Sequence, residues 1–310
     1  RENNDYRSLD LLATWRREAA DGSRLMLSEN LFHKDEGLPG LGSNESSRAR
    51  LRMTRNIASL GWESAGGGRR VEVGLTYRRD RLSDPKSATE GVAGIGLPYD
   101  LETDTTVAAD ANGHWRKTLG PTHLLDIGVA LAFERFRARY PGSTTSGSGP
   151  QQRLRGSVVL ADELHLPGPG IDLIGQLRHE TLWNRFDGQA LLPVVEKGDL
   201  PSSRDRSTDA RISLHWQARP SLSLRANLAT YFRPPSFSEL FGNDGFSVAN
   251  PELGPETGTA RDIGLVAELD PKGPAVSRLR LEYSWFDNDT DDMIVFVQTG
   301  ARVAKPLNIG

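Results

Sequence analysis

The run Asp287-Asn288-Asp289-Thr290-Asp291-Asp292 holds a dense set of oxygen ligands, and it resembles the start of a calcium loop. A helix–loop–helix calcium site needs Gly at its sixth position for the turn and Glu at its twelfth for bidentate coordination. Those positions hold Asp292 and Gln298, so the run reads as a solvated strand end, with a loop cation site as the alternative. Gly147-Ser148-Gly149 lacks the spacing of a nucleophile elbow and lies in a Gly/Ser/Thr run that reads as a loop tip. His33, His114, His123, His165, His179 and His215 show no metal-ligand spacing. The glycines Gly91, Gly94 and Gly96 form no dinucleotide fingerprint, because no helical pattern follows them. No catalytic residue, metal site or cofactor is expected.

The elements that would position any site are strands. Leu125, Ile127, Val129, Leu131 and Phe133 alternate with Asp126, Gly128, Ala130, Ala132 and Glu134. Ile212, Leu214 and Trp216 behave alike, as do Leu222, Leu224 and Leu228, and Leu279, Leu281, Tyr283 and Trp285. Successive side chains of a strand point to opposite faces, so each run has one apolar and one polar face. No segment shows a helical period of useful length. Twelve such runs lie near 8–19, 23–34, 47–62, 69–79, 103–118, 123–140, 151–165, 171–186, 207–218, 221–232, 259–269 and 278–297.

The connections sort by parity. Short ones fall at 20–22, 64–68, 120–122, 166–170, 219–220 and 270–274, and long ones between them at 35–46, 80–102, 141–150, 187–206 and 233–258. Outer-membrane barrels alternate in this way, with tight periplasmic turns and long extracellular loops. A soluble Greek-key sandwich has no reason to do so. Trp15, Trp62, Trp115, Trp183, Trp216 and Trp285 all fall toward ends of these runs, as an aromatic girdle requires. Asp10, Arg155, Arg211, His215, Arg225, Asn227, Arg280 and Glu282 lie on polar faces. They suit a wet lumen or the surface of an internal plug, since a dry core would leave them unpaired; a solvated antiparallel sheet is the alternative.

Composition agrees. A net charge of -3 argues against a nucleic-acid partner, which requires a basic excess. With no Cys, neither a disulfide framework nor a Cys-based zinc site exists. No apolar run approaches the roughly 20 residues of a membrane helix. The mean hydropathy of -0.48 is compatible with a membrane barrel, whose strands turn only alternate residues to lipid. The sequence opens at Arg1 without a signal peptide, which reads as an internal start.

Phe232-Arg233-Pro234-Pro235-Ser236, with Glu239-Leu240-Phe241-Gly242, resembles the aromatic-Arg-x-Pro-Ser-x-x-Glu-Leu-aromatic signature of TonB-dependent outer-membrane transporters. Asn250-Pro251-Glu252-Leu253-Gly254-Pro255-Glu256 resembles their Asn-Pro-x-Leu-x-Pro-Glu segment. Phe286 and Asn288, followed by Asp292-Met293-Ile294, match a later strand signature, and Asn308-Ile309-Gly310 looks like the opening of the next strand. Glu36 to Gly40 is loosely similar to an early extracellular loop of the family. Gly258 stands where the family usually has Ser or Thr, and Asp262 where Glu is usual.

The resemblance implies an all-β, antiparallel, up-and-down transmembrane barrel, of which residues 1–310 form a partial domain. About 12 of roughly 22 strands would be present, starting just after the first, with the plug domain and the closing strands absent. An open sheet in lipid leaves unpaired edge groups at several kcal/mol each, so the expected protein is longer. The implied function is active uptake of a scarce solute of the ferric siderophore, haem or cobalamin class, without bond-making chemistry. The implied partners are the TonB complex, reached through the absent plug and its TonB box, a small ligand such as a metal chelate, and outer-membrane lipid. A passive porin-like barrel and an outer-membrane hydrolase barrel are the alternatives. Extracellular loops gather ligand in this family, which makes Arg233, Phe237, Phe241, Asn243, Asp244 and Phe246 the candidate binding residues. The competing reading is that these residues fold the loop onto its strands, with Arg233 pairing Glu239.

Overall fold

The computed structural model describes residues 3–41, 44–85, 100–139, 149–186, 202–241, 249–269, 278–299 and 304–310. Among them, no helix is long and apolar enough to cross a membrane. Twelve long strands form one sheet: β1 (Tyr6–Glu18), β2 (Arg24–Gly37), β5 (Arg50–Glu63), β6 (Arg69–Ser83), β7 (Leu101–Leu119), β8 (His123–Arg139), β9 (Gln151–Leu166), β10 (Ile171–Arg185), β11 (Ser203–Arg219), β12 (Leu222–Arg233), β13 (Glu256–Leu269) and β14 (Leu279–Asp291). Two small hairpins join them, β3 (Gly40–Leu41) with β4 (Asn44–Glu45), and β15 (Met293–Gln298) with β16 (Ala304–Ile309).

Every strand of the large sheet pairs antiparallel with its predecessor and successor among the twelve, giving a meander with β1 and β14 at its edges. The alternation of short and long connections persists, so all tight turns lie at one end of the sheet and all long loops at the other. At 12 to 19 residues the strands exceed the roughly 9–11 needed to cross a bilayer, and they project beyond it.

The structure corrects three expectations. The run 278–297 is two strands, because Asp292 takes a left-handed conformation (φ 54°) and turns β15 away from the sheet. Asn308 and Ile309 lie in β16, paired with Ile294 and Met293 of β15. A one-turn helix, α1 (Phe237–Phe241), stands inside the long 233–258 connection, where no helix was expected. Trp285 sits midway along β14, six residues from either end; the other five Trp lie within four residues of a strand end. The segments around Gly94 and Ser148, and the turn at 270–274, lie outside the described residues.

The register puts all six Trp on one face of the sheet. Val71, Leu131, Ile212 and Leu281 share that face and are exposed. All eight polar residues named above lie on the other face. A soluble protein seldom leaves so large an apolar face uncovered. Here the apolar face is the outer one, which suits lipid, and the polar face lines a lumen. Trp216 also donates from its indole to the Pro169 carbonyl (3.1 Å), joining an apolar ring to the polar short-turn end.

On the lumen face charges are matched along the wall. Arg155 and Arg178 both reach Glu180, which is only 1% exposed. Arg225 and Arg280 share Glu282, and Arg116 pairs with Asp126.

Candidate functional site

The long-loop end of the lumen is where the sequence signatures converge. β12 ends at Arg233 because Pro234 and Pro235 supply no backbone donor for the ladder. Ser236 and Glu239 then start α1 as a capping box. The Glu239 carboxylate accepts from the Ser236 amide (2.7 Å) and hydroxyl (3.0 Å), while the Glu239 amide donates to the Ser236 hydroxyl oxygen (3.3 Å).

Arg233 ties both ends of this loop. Its guanidinium donates to Glu239 at 3.2 Å and to Glu256, its register partner at the start of β13, at 3.1 Å. The pairing with Glu239 expected from the sequence is therefore present, and Glu256 is a second partner. Glu256 also accepts from the Ile294 amide at 3.1 Å, which brings in β15. Asn250 donates to the Pro306 carbonyl (2.8 Å), and the Asn308 side chain exchanges two bonds with the backbone of Gly254 (2.9 and 3.1 Å). The Asn-Pro-x-Leu-x-Pro-Glu segment thus holds the β15–β16 hairpin against the loop.

α1 lies over the lumen side of strands well away from its own. Phe237 stacks on Phe136 of β8 at 5.8 Å between centroids. Phe241 meets Phe136 at 6.4 Å and Phe186 edge-on at 5.1 Å. Ala138, Leu240, Leu253 and Ile294 complete a buried apolar cluster. Arg153 of β9 lies beneath the loop. It donates to the Pro235 carbonyl and to the Asn184 side chain, each at 2.8 Å, and its guanidinium covers the Phe237 ring at 4.8 Å. At 8% exposure Arg153 needs these partners, since a buried charge without them is costly.

Of the sequence candidates, Phe237 and Phe241 are brought together in this cluster, and Arg233 is joined to the same helix through Glu239. Phe237 and Phe241 are 5% and 4% exposed, so in this structure they pack the loop rather than face solvent. Asn243, Asp244 and Phe246 lie outside the described residues. Arg153 and Asn184 escaped the sequence reading. Their only signal was a place on the polar side of β9 and β10.

The acidic run offers no converging ligands. Asp287 and Asp289 fall on the face opposite Asn288 and Thr290, and Asp287 contacts Arg261 at 3.8 Å. No group of three or more potential metal ligands occurs among the described residues. The histidines engage Thr or Asp side chains, as in His33 with Thr54 and His123 with Asp162. Outside the strands, the Asp21 carboxyl in the β1–β2 turn is held below the ordinary range by the hydrogen bonds it accepts from the Ser23 hydroxyl and amide.

A family model described as "TonB dependent receptor-like, beta-barrel" matches residues 2–310. The fold is similar to that of the copper transporter OprC, with a TM-score of 0.74 at 15% identity, covering 99% of this chain and 49% of that one. It is similar to the FrpB iron transporter from Neisseria meningitidis (F5-1 variant), with a TM-score of 0.69 at 14% identity, covering 99% and 49%. A stretch of 113 residues is 26% identical to the vitamin B12 transporter BtuB of Vibrio vulnificus (strain CMCP6), 36% of this chain and 16% of that protein. The chain therefore spans about half the length of these solved relatives.

Proposed function

The chain belongs to the TonB-dependent receptor-like β-barrel family, whose members are bacterial outer-membrane proteins, and on that premise we propose that it forms part of a barrel for active solute uptake. Its solute is a scarce one of the metal-chelate, haem or cobalamin class. Uptake is driven from the inner membrane through TonB, acting on a plug domain that fills the lumen. The protein makes and breaks no covalent bonds.

The observation that carries this reading is the loop cluster around Arg153 and Phe237. It folds inward over the lumen at the long-loop end, where a passive pore needs an open mouth. The similarity to transporters of copper, iron and vitamin B12 supports a metal-bearing solute. Two exposures support a longer protein with a filled lumen. Leu12 and Phe286, at 74% and 78%, lie on the lumen face of the edge strands β1 and β14. Further strands and a plug would cover both.

Within this reading, Arg233, Phe237 and Phe241 hold the loop in place. Asn243, Asp244 and Phe246, midway along the same connection in sequence, contact the solute. The test is growth of a deletion strain on single defined sources of iron chelate, haem or cobalamin, with and without TonB. Rescue by the intact gene that requires TonB is expected on one source. Rescue independent of TonB would overturn active uptake in favour of a passive barrel.

A further inference from the structure

The outer face of the sheet carries a second constellation, on the side of β8 opposite the loop cluster, where Arg135, Arg137 and Arg139 alternate with Phe136 and Ala138. On β6, β7 and β8 the outward positions line up in rows across the register. Tyr77, Val107 and Arg135 form one row, Arg79, Thr105 and Arg137 the next, and Arg81, Thr103 and Arg139 the last. The first two rows, together with Thr103 and Arg139, line a groove of about 410 Å³. All five arginines are exposed. Among the described residues, none of them has an ion pair or side-chain hydrogen bond.

The neighbouring strand differs. Arg50 and Arg52 occupy the same face and end on the neighbouring strand β5, and both pair with Asp35, at 2.6 and 2.9 Å, Arg50 also with Asp5 at 2.9 Å. Among the described residues, no carboxylate pairs with the groove arginines in this way. All outward positions of β6, β7 and β8 are described, and none is Asp or Glu; the acidic residues of these strands, such as Asp80, Asp110 and Glu134, all face the lumen.

Height decides what the arginines meet. Along β8 the outward residues run Ile127, Val129, Leu131 and Phe133, then Arg135, Arg137 and Arg139. Ile127 shares its row with Trp115, near the short-turn end. Ten residues separate Ile127 from Arg137, or about 33 Å of strand, which at a tilt of about 40° is about 25 Å of height. That matches the apolar band of about 25 Å of such barrels. The arginine rows therefore sit where the hydrocarbon ends, at the headgroups of the outer leaflet.

We propose that these rows form a binding site for a phosphate-bearing lipid headgroup of the outer leaflet, whose acyl chains lie on the apolar band below. The rows of Arg–Thr–Arg place guanidinium groups two strands apart, about 10 Å, and two residues apart along the strand, about 7 Å. Such a frame matches a headgroup with more than one phosphate, each oxygen pair taken by a planar guanidinium fork. Thr103 and Thr105 add hydroxyl donors between the charges. The site rests on outer-membrane placement alone and is independent of which solute passes through the lumen.

The intact protein, purified from outer membranes and stripped of lipid in detergent, is titrated with lipid A bearing both phosphates, and bound lipid is counted by native mass spectrometry. The expected result is stoichiometric binding that weakens at least tenfold in R79Q/R137Q and stays within about threefold in R79K/R137K. Inorganic phosphate at 10 mM is expected to leave the lipid bound. Equal binding of lipid A with its phosphates removed, tested on the unmodified protein, would overturn the proposal without relying on any variant. Unchanged binding by R79Q/R137Q, or displacement by inorganic phosphate, which marks a free-anion site, would also overturn it. Barrel folding of each variant is checked by heat-modifiable migration. Uptake is measured in the same strains and is expected to be unchanged in R79Q/R137Q, so a failure of the uptake reading leaves the lipid result standing.

Discussion

Arg153 and Phe237 stand 84 positions apart in the sequence, yet the Arg153 guanidinium lies 4.8 Å above the Phe237 ring. One residue is on the lumen wall and the other on the loop that crosses it. The contact fixes where the loop comes to rest, because the same guanidinium holds the Pro235 carbonyl at 2.8 Å.

Replacing Arg153 by Met keeps much of its volume and removes both interactions. A desolvated cation–π contact contributes about 2 kcal/mol and a charged hydrogen bond about 1.5–3 kcal/mol, so loop seating should weaken by about 2–4 kcal/mol. Proteolysis of the intact protein should then cleave within 234–255 at least about tenfold faster. Unchanged cleavage would show that the aromatic cluster seats the loop without Arg153.

Arg233 is 40% exposed at its side chain, so its pairing with Glu239 is screened. A double-mutant cycle on Arg233→Ala and Glu239→Ala should return a coupling of about 1 kcal/mol. Glu239→Ala alone should cost about 1 kcal/mol more than that coupling, because the bonds its carboxylate accepts from the Ser236 amide and hydroxyl are lost with it. Urea unfolding of the intact protein reads both values, and a coupling near zero would show that the Arg233 pair adds nothing to the capping box.

Gly258 faces the Tyr231 ring across the β12–β13 ladder. A Cβ there would approach the Asp289 carbonyl oxygen at 2.5 Å and the Tyr231 ring at 2.7 Å. Gly258→Ala should destabilise by about 1–3 kcal/mol, the usual range for overpacking. Adding Tyr231→Leu should recover only part, since the carbonyl is backbone and stays in place. The Tyr231 ring also explains the Gly where Ser or Thr is usual: the ring occupies their space and bonds Thr290 through its hydroxyl at 2.7 Å.

Asp21 is held below its ordinary value of 3.8 by the Ser23 hydroxyl and amide. A carboxyl with a depressed folded-state pKa contributes stability above its unfolded value, and loses that contribution as pH falls through the folded value. The Asp21 carboxyl shift of the detergent-solubilised protein should therefore titrate below 3.8, and Ser23→Ala should move the midpoint upward.

Strands and their faces were legible because period two is a local property. Leu125 to Phe133 announce their side of the sheet without any knowledge of what lies opposite. The Arg233–Glu239 pair was legible because Ser-x-x-Glu after Pro-Pro is a local signal as well. Asp292 was not, since a left-handed non-glycine residue carries no mark in the sequence. Arg153 was not legible either, because its role depends on the direction taken by a loop three strands away.

The bonds from Asn250, Gly254 and Glu256 to the β15–β16 hairpin reduce the degrees of freedom at that rim. Two excursions from the sheet, one after β12 and one after β14, share a single mechanical fate. A force applied to either must be carried by both, and a sequence change at Asn250 or Asn308 loosens two pieces of surface at once. Variation at this rim is thereby channelled into the residues outside the knot.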